Sequence, residues 1–152
     1  MTPEEKLKAR GLELPKSPTP VANYVRTVRS GNMVYIAGSG PDREGAPQYR
    51  GKLGRNVSIE EGYLAAQSAA LNMLASLKVE IGELSKVRRI VKVLGMVNGE
   101  PEFADQPKVI NGCSDLLVDI FGDKGKHARS AVGMGSLPGG IPVEIEMIVE
   151  VE

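Results

Sequence analysis

The sequence predicts an α+β fold, a mixed β-sheet with two helices packed on one face. Three observations predict it. Alternating or β-branched runs lie near the start, in the middle and at the end of the chain. Two segments of helical period separate them, and no repeat, low-complexity tract or long linker divides the 152 residues, so residues 1–152 are expected to form a single domain around one core. Helices laid on one face of a sheet let both kinds of element bury their apolar sides.

Taken in order, Thr2-Pro3-Glu4-Glu5 combines a cap residue, a proline at the first helical position and early acids, which predicts a short helix to about Arg10. Leu12 to Val21 carries Pro15, Pro18 and Pro20 and is expected to be extended, so that residues 1–22 form a helix and an arm. Tyr24–Arg29 and Met33–Ala37 read as strands of a hairpin turning at Ser30-Gly31-Asn32. Gly38 to Asn56 is polar and rich in Gly and Pro, a long loop of a kind that is often functional or mobile.

Ser58-Ile59-Glu60-Glu61 is a capping box. Behind it Ile59, Tyr63, Ala66, Ala70, Met73, Leu74, Leu77 and Ile81 fall on one helical stripe, and Gly82 stops the helix. Val87 to Val97 is β-branched and apolar at both parities, the pattern of a strand covered on both faces. A second helix is expected over Val109 to Phe121, with Ile110, Cys113, Leu116, Leu117 and Ile120 inward and Gly122 beyond its end. Ala128 to Ser136 alternates, Leu137-Pro138-Gly139-Gly140 turns the chain, and Val143 to Val151 alternates strictly. These last two runs read as a closing hairpin, giving the order hairpin, helix, strand, helix, hairpin. The uncovered sheet face then carries Ile148 and part of the central strand, which argues for an oligomer.

Charge narrows the function classes. Lys and Arg total 19, Asp and Glu total 19, so the basic excess of a nucleic-acid binder is missing. The densest basic group, Lys86, Arg88, Arg89 and Lys92, lies within the apolar run and reads as strand faces. One cysteine, Cys113, and one histidine, His127, offer no disulfide and no zinc constellation. The first ten residues lack the apolar core of a secretory signal, and no apolar stretch approaches the roughly 20 residues of a membrane span. A cytoplasmic protein without metal or cofactor is expected. Cys113 reads as a packed side chain, His127 as a satisfied or solvated one, and the Gly-rich loop matches no phosphate-binding pattern.

The segment His127 to Gly135 carries the chemistry. In a strand, Arg129, Ala131, Gly133 and Gly135 share a face. A guanidinium followed by three minimal side chains leaves an open shelf beside a fixed cation, suited to a small carboxylic acid. The same arginine could instead pair with an acid such as Glu144 of its own or a neighbouring chain.

YVRTVRSGNMVYIAGSGP near the start, VIN at the second helix and ARSAVGMGSLPGGIPVEIEMIVEV at the end resemble, in order and spacing, the Rid family (reactive intermediate deaminases, YjgF-like). The likeness runs from about Tyr24 to Val151. It implies a chorismate-mutase-like fold, a homotrimer with clefts between subunits, and hydrolysis of enamines and imines of 2-amino acids to 2-keto acids and ammonia without a cofactor. It implies Arg129 as carboxylate anchor, Glu144 as the acid that positions or activates water, and Tyr24, Gly38, Asn111 and the backbone of Ala131 as the substrate's other contacts. Ser-Gly-Gln is common in the family where this chain has Ala37-Gly38-Ser39, and Cys where it has Ala131, which marks a divergent branch. Two rival readings are a non-catalytic trimeric binder of keto acids or related carboxylates, and an endoribonuclease, an activity reported for some relatives.

Overall fold

The computed structural model describes residues 1–20 and 22–152. The expected arm runs without regular structure across its described residues, and its last position, Val21, lies outside them. Helix α1 (Pro3–Ala9) opens on a capping box in which Thr2 and Glu5 satisfy each other's backbone. Strands β1 (Thr27–Ser30) and β2 (Met33–Ser39) form the expected hairpin, with Gly31 at φ 60° in its turn. Then come α2 (Ile59–Ile81), β3 (Val87–Asn98), α3 (Gln106–Phe121), β4 (Ala128–Met134) and β5 (Val143–Val151). Helix α3 begins three residues before the expected Val109, because Pro107 serves in its first turn.

The sheet order is β1-β2-β5-β3-β4. Strand β3 pairs antiparallel with β5 and parallel with β4. The expected closing hairpin is therefore absent: β4 and β5 both pair with β3 and not with each other. The reason lies in the connection. A parallel neighbour requires a crossover, which α3 supplies between β3 and β4, while Gly135–Pro142 carries the chain back over β3 to the sheet's interior. Strand β4 is left as an outer edge.

One face of the sheet packs on α2 and α3 through Val34, Ile36, Ile90, Val93, Val97, Ile145, Met147 and Val149, all in the single buried cluster. Helix α2 is buried more widely than its expected stripe. Ala65, Ser68, Ala69, Leu71, Asn72 and Ser76 are also buried, because the arm and the long loop form a further layer over it. Asn72 Nδ2 donates to the carbonyls of Gly40 and Asp42 at 3.0 and 2.9 Å, and Ser76 Oγ meets Ser17 Oγ at 2.9 Å. The second half of the loop is pinned as well, with Leu53 fully buried and its N–H donating to the Asn98 carbonyl at 2.9 Å. Tyr63 leaves the expected core stripe. It is half-buried and donates its hydroxyl to Asp115 Oδ2 at 2.7 Å across the α2–α3 seam, which pushes its pKa up to about 12.

Among the described residues nothing forms a covering layer on the opposite sheet face. Leu94, Met96 and Ile148 are half-exposed there, and Val132 and Tyr35 are 39% and 47% exposed. Among the described residues no helix is long and apolar enough to cross a membrane.

Candidate active site

Two glycines seat α3 closely enough to build the site, Gly95 against the sheet and Gly112 against α2. A Cβ on Gly95 would sit 2.6 Å from the side chain of Ile110, and one on Gly112 would strike the Tyr63 carbonyl. Without those atoms α3 nests between β3 and α2, and its flank meets the β4 edge. Arg129 on β4 pairs with Val93 of β3, so its side chain rises on the helix-covered face. There NH1 donates to Asn111 Oδ1 at 2.8 Å and to Ser114 Oγ at 3.1 Å. The structure thus brings together Arg129 and Asn111, two of the candidate residues, and adds Ser114.

Both acceptors are neutral. Among the described residues Arg129 has no carboxylate partner, so the expected alternative of pairing with its own Glu144 does not occur. NH1 is spent on α3, leaving the Nε–H and NH2 edge without a partner among the described residues. That edge is the side of a guanidinium that takes a carboxylate bidentately. Beside it Ala131 and Gly133 add almost no bulk, as expected. Gly135 does not share the strand, which ends at Met134; together with Gly133, Lys52, Glu100 and Gln106 it lines a cavity of about 500 Å³.

The other candidate residues form a second cluster. The β2–β5 register shifts between Ile36 and Ser39, a bulge at Ala37-Gly38. A Cβ on Gly38 would lie 2.6 Å from Glu144 Oε2, so the glycine lets the carboxylate lie across the bulge. Arg26, which the sequence reading passed over, holds this bulge together. Its NH1 donates to the Gly38 carbonyl at 3.2 Å, and its NH2 to the Ala37 carbonyl at 3.3 Å and to Ser39 Oγ. Tyr24 stands two residues before Arg26, 43% exposed, its hydroxyl without a partner among the described residues.

One chain does not unite the two clusters. Glu144 pairs with Met96, of opposite parity to Val93, and therefore lies on the uncovered face. Strand β3 stands between β4 and β5, a separation of roughly 10 Å before the offset along the strands is added. Arg129 and Asn111 belong to one face and edge, Gly38 and Glu144 to the other face.

The remaining polar candidates behave as expected. Cys113 is fully buried, and burial pushes its thiol up to about 12, which removes it as a nucleophile. His127 is satisfied from both sides, Nδ1 by the Gly125 carbonyl at 2.6 Å and Nε2 by Ser114 Oγ at 2.8 Å. Among the described residues no group of three potential ligands could hold a metal ion.

Comparison with known proteins agrees with this architecture. Residues 4–140 match the family described as "YjgF/chorismate_mutase-like, putative endoribonuclease". The chain is 38% identical over 145 residues to Protein TCP17 of Trypanosoma cruzi, covering 95% of this chain and 91% of that one. It is 30% identical over 148 residues, 94% of this chain and 97% of the other, to a protein of Dermatophagoides farinae named 2-iminobutanoate/2-iminopropanoate deaminase. A crystal structure of an Agrobacterium tumefaciens protein of unknown function superposes with a TM-score of 0.92 at 43% identity, covering 99% of this chain and 92% of that one. The chain belongs to the YjgF/Rid family and has its chorismate-mutase-like α+β fold.

Proposed function

We propose that the protein hydrolyses small 2-imino acids, and the enamines in equilibrium with them, to 2-keto acids and ammonia, in a cleft shared by two copies within a homotrimer. The observation that carries the proposal is Arg129: a half-buried guanidinium held by two neutral oxygens, with its Nε–NH2 edge free and minimal side chains beside it. The substrate's carboxylate takes that edge. Glu144 of another copy, with the Gly38 bulge and Tyr24, closes the far wall, and the exposed apolar residues Leu94, Met96, Val132 and Ile148 form the contact between copies.

The chemistry asks little of the protein. Water adds to the imine carbon while its proton passes to Glu144, and the nitrogen takes up a proton. The hydroxyl proton of the resulting carbinolamine then passes, through Glu144, to the amino nitrogen as the carbonyl forms and the carbon–nitrogen bond breaks, so that ammonia departs. Holding the carboxylate and aiming one water supply most of the acceleration.

The test follows the decay of 2-iminopropionate. Wild type is expected to speed it, Glu144→Gln to lower kcat, and Arg129→Ala to lower kcat/KM by more than about a hundredfold. Decay at the buffer rate with wild type, or an Arg129→Ala variant equal to wild type, overturns the proposal. Light scattering at micromolar concentration checks the assembly; a mass of one chain contradicts the shared cleft.

One observation favours a second reading, a non-catalytic carboxylate binder. The Gly38 carbonyl, which a substrate could otherwise use, is already engaged by Arg26. Calorimetry with 2-ketobutyrate separates the two, since binding without turnover supports the binder. Endoribonuclease activity has less support: the net charge is zero, and the one histidine is already engaged at both ring nitrogens.

A further inference from the structure

We propose that Ser114 and His127 are positioning residues for Arg129, holding its guanidinium so that NH1 faces the protein and the Nε–NH2 edge faces the ligand. This rests on Arg129 being the carboxylate anchor and says how the anchor is aimed.

Direction in the hydrogen-bond chain follows from what each atom can do. The Gly125 carbonyl, 2.6 Å from His127 Nδ1, can only accept, so the ring hydrogen sits on Nδ1. In a neutral ring Nε2 is then an acceptor, and the Ser114 hydroxyl 2.8 Å away donates to it. With its only hydrogen committed, Ser114 Oγ presents a lone pair to Arg129 NH1 at 3.1 Å. The chain runs one way, from guanidinium to serine to imidazole to backbone, and each link polarises the next. Burial lowers the pKa of His127, the Gly125 bond raises it and the charge of Arg129 lowers it again, a net depression that keeps the ring in the neutral form the chain needs.

Two acceptors matter more than one. Asn111 alone would leave the guanidinium free to pivot about a single NH1···O contact. Ser114, three residues further along α3 and so on the same flank, supplies the second point and fixes the plane of the fork. The far end is rigid too: a Cβ on Gly125 would strike the Leu117 carbonyl, so the turn carrying this glycine packs tightly beneath α3. A long side chain aimed in advance loses less freedom when it takes its ligand.

The experiment combines binding, kinetics and a signal that needs no substrate. Ser114→Ala and His127→Ala are each expected to raise the calorimetric Kd for 2-ketobutyrate, and KM for 2-iminopropionate, by about five- to twentyfold, with kcat within about twofold. In the ligand-free variants the NMR order parameter of the Arg129 Nε–H should fall. Ser114→Thr keeps the hydroxyl and His127→Gln keeps an acceptor, so both should return Kd to within about threefold of wild type. Unchanged Kd and Nε–H order in both alanine variants overturns the proposal. So do conservative variants that fail as fully as alanine while lowering Tm, since that marks a merely structural role. Wild type that binds no keto acid overturns the anchor reading instead, and the Nε–H signal then decides alone whether these residues hold the guanidinium.

Discussion

Two arginines on opposite sides of the sheet are held by neutral oxygens, and they differ in how much of the fork is consumed. Arg129 commits one nitrogen to α3 and keeps an edge free. Arg26 commits both terminal nitrogens to the bulge carbonyls and Ser39, and its buried Nε has no partner among the described residues. The first arrangement spends a few hydrogen bonds to aim a cation outward. The second turns the cation inward, as a clamp on the bulge carbonyls of Ala37 and Gly38, the first of which also accepts from Ser39 Oγ at 3.1 Å. Charge alone does not separate the two arginines; the count of uncommitted donors does.

Substitution should split the pair. Arg129→Ala is expected to cost more than a hundredfold in carboxylate affinity and little in Tm, because its NH1 partners can turn to water. Arg26→Leu should do the reverse within one chain, lowering stability by about 1–2 kcal/mol as the Gly38 carbonyl loses its Arg26 donor and the Ala37 carbonyl keeps only the Ser39 hydroxyl. Urea midpoints and calorimetry on both variants check this, and an Arg26→Leu protein as stable as wild type breaks the contrast. Next in size, Gly95→Ala drives a methyl into Ile110 and should cost about 1–3 kcal/mol. By displacing α3 from Arg129 it should also weaken ligand binding, whereas the Arg26 side is left alone.

The two arginines were unequally legible in the sequence. Arg129 stood out because glycine and alanine follow it at period two, a signal carried by neighbours in the chain. Asn111 was legible through the family motif. Arg26 gave no such signal, since its partners are backbone carbonyls exposed by a bulge, and a bulge is a property of pairing between strands. Ser114 and His127 were hidden for the same reason: an unremarkable helix serine gains meaning only when α3 lies against β4. The misread closing hairpin has this origin too. Alternation in Ala128–Ser136 and Val143–Val151 identifies two strands, the first of them two residues too long, but which strand sits between them depends on the α3 crossover, and local pattern carries no trace of it. The helices, by contrast, were legible to within three residues from caps and periodicity, because those are short-range physics.

The smallest expected effect sharpens the contrast through pH. His127 has its pKa below the ordinary 6.5, with burial the largest cause, whereas no titratable imidazole stands behind Arg26. A folded pKa below the unfolded one means that the unfolded chain takes up the proton first. The stability from a neutral His127 is therefore complete above about pH 6.5 and declines as pH falls through the window beneath it, flattening only once the folded group also titrates. His127→Gln removes that limb and leaves the carboxylates common to both proteins. Glu4 also has a lowered pKa: burial pushes it up, but the Leu84 N–H and the Lys78 ammonium outweigh that, so its own limb opens only below its ordinary 4.5. Urea midpoints measured from pH 7.5 down to 5 should thus fall more steeply for wild type than for His127→Gln. Parallel curves would mean that the ring is no more shielded when folded than when unfolded, and would remove the electrostatic half of the distinction between the two arginines.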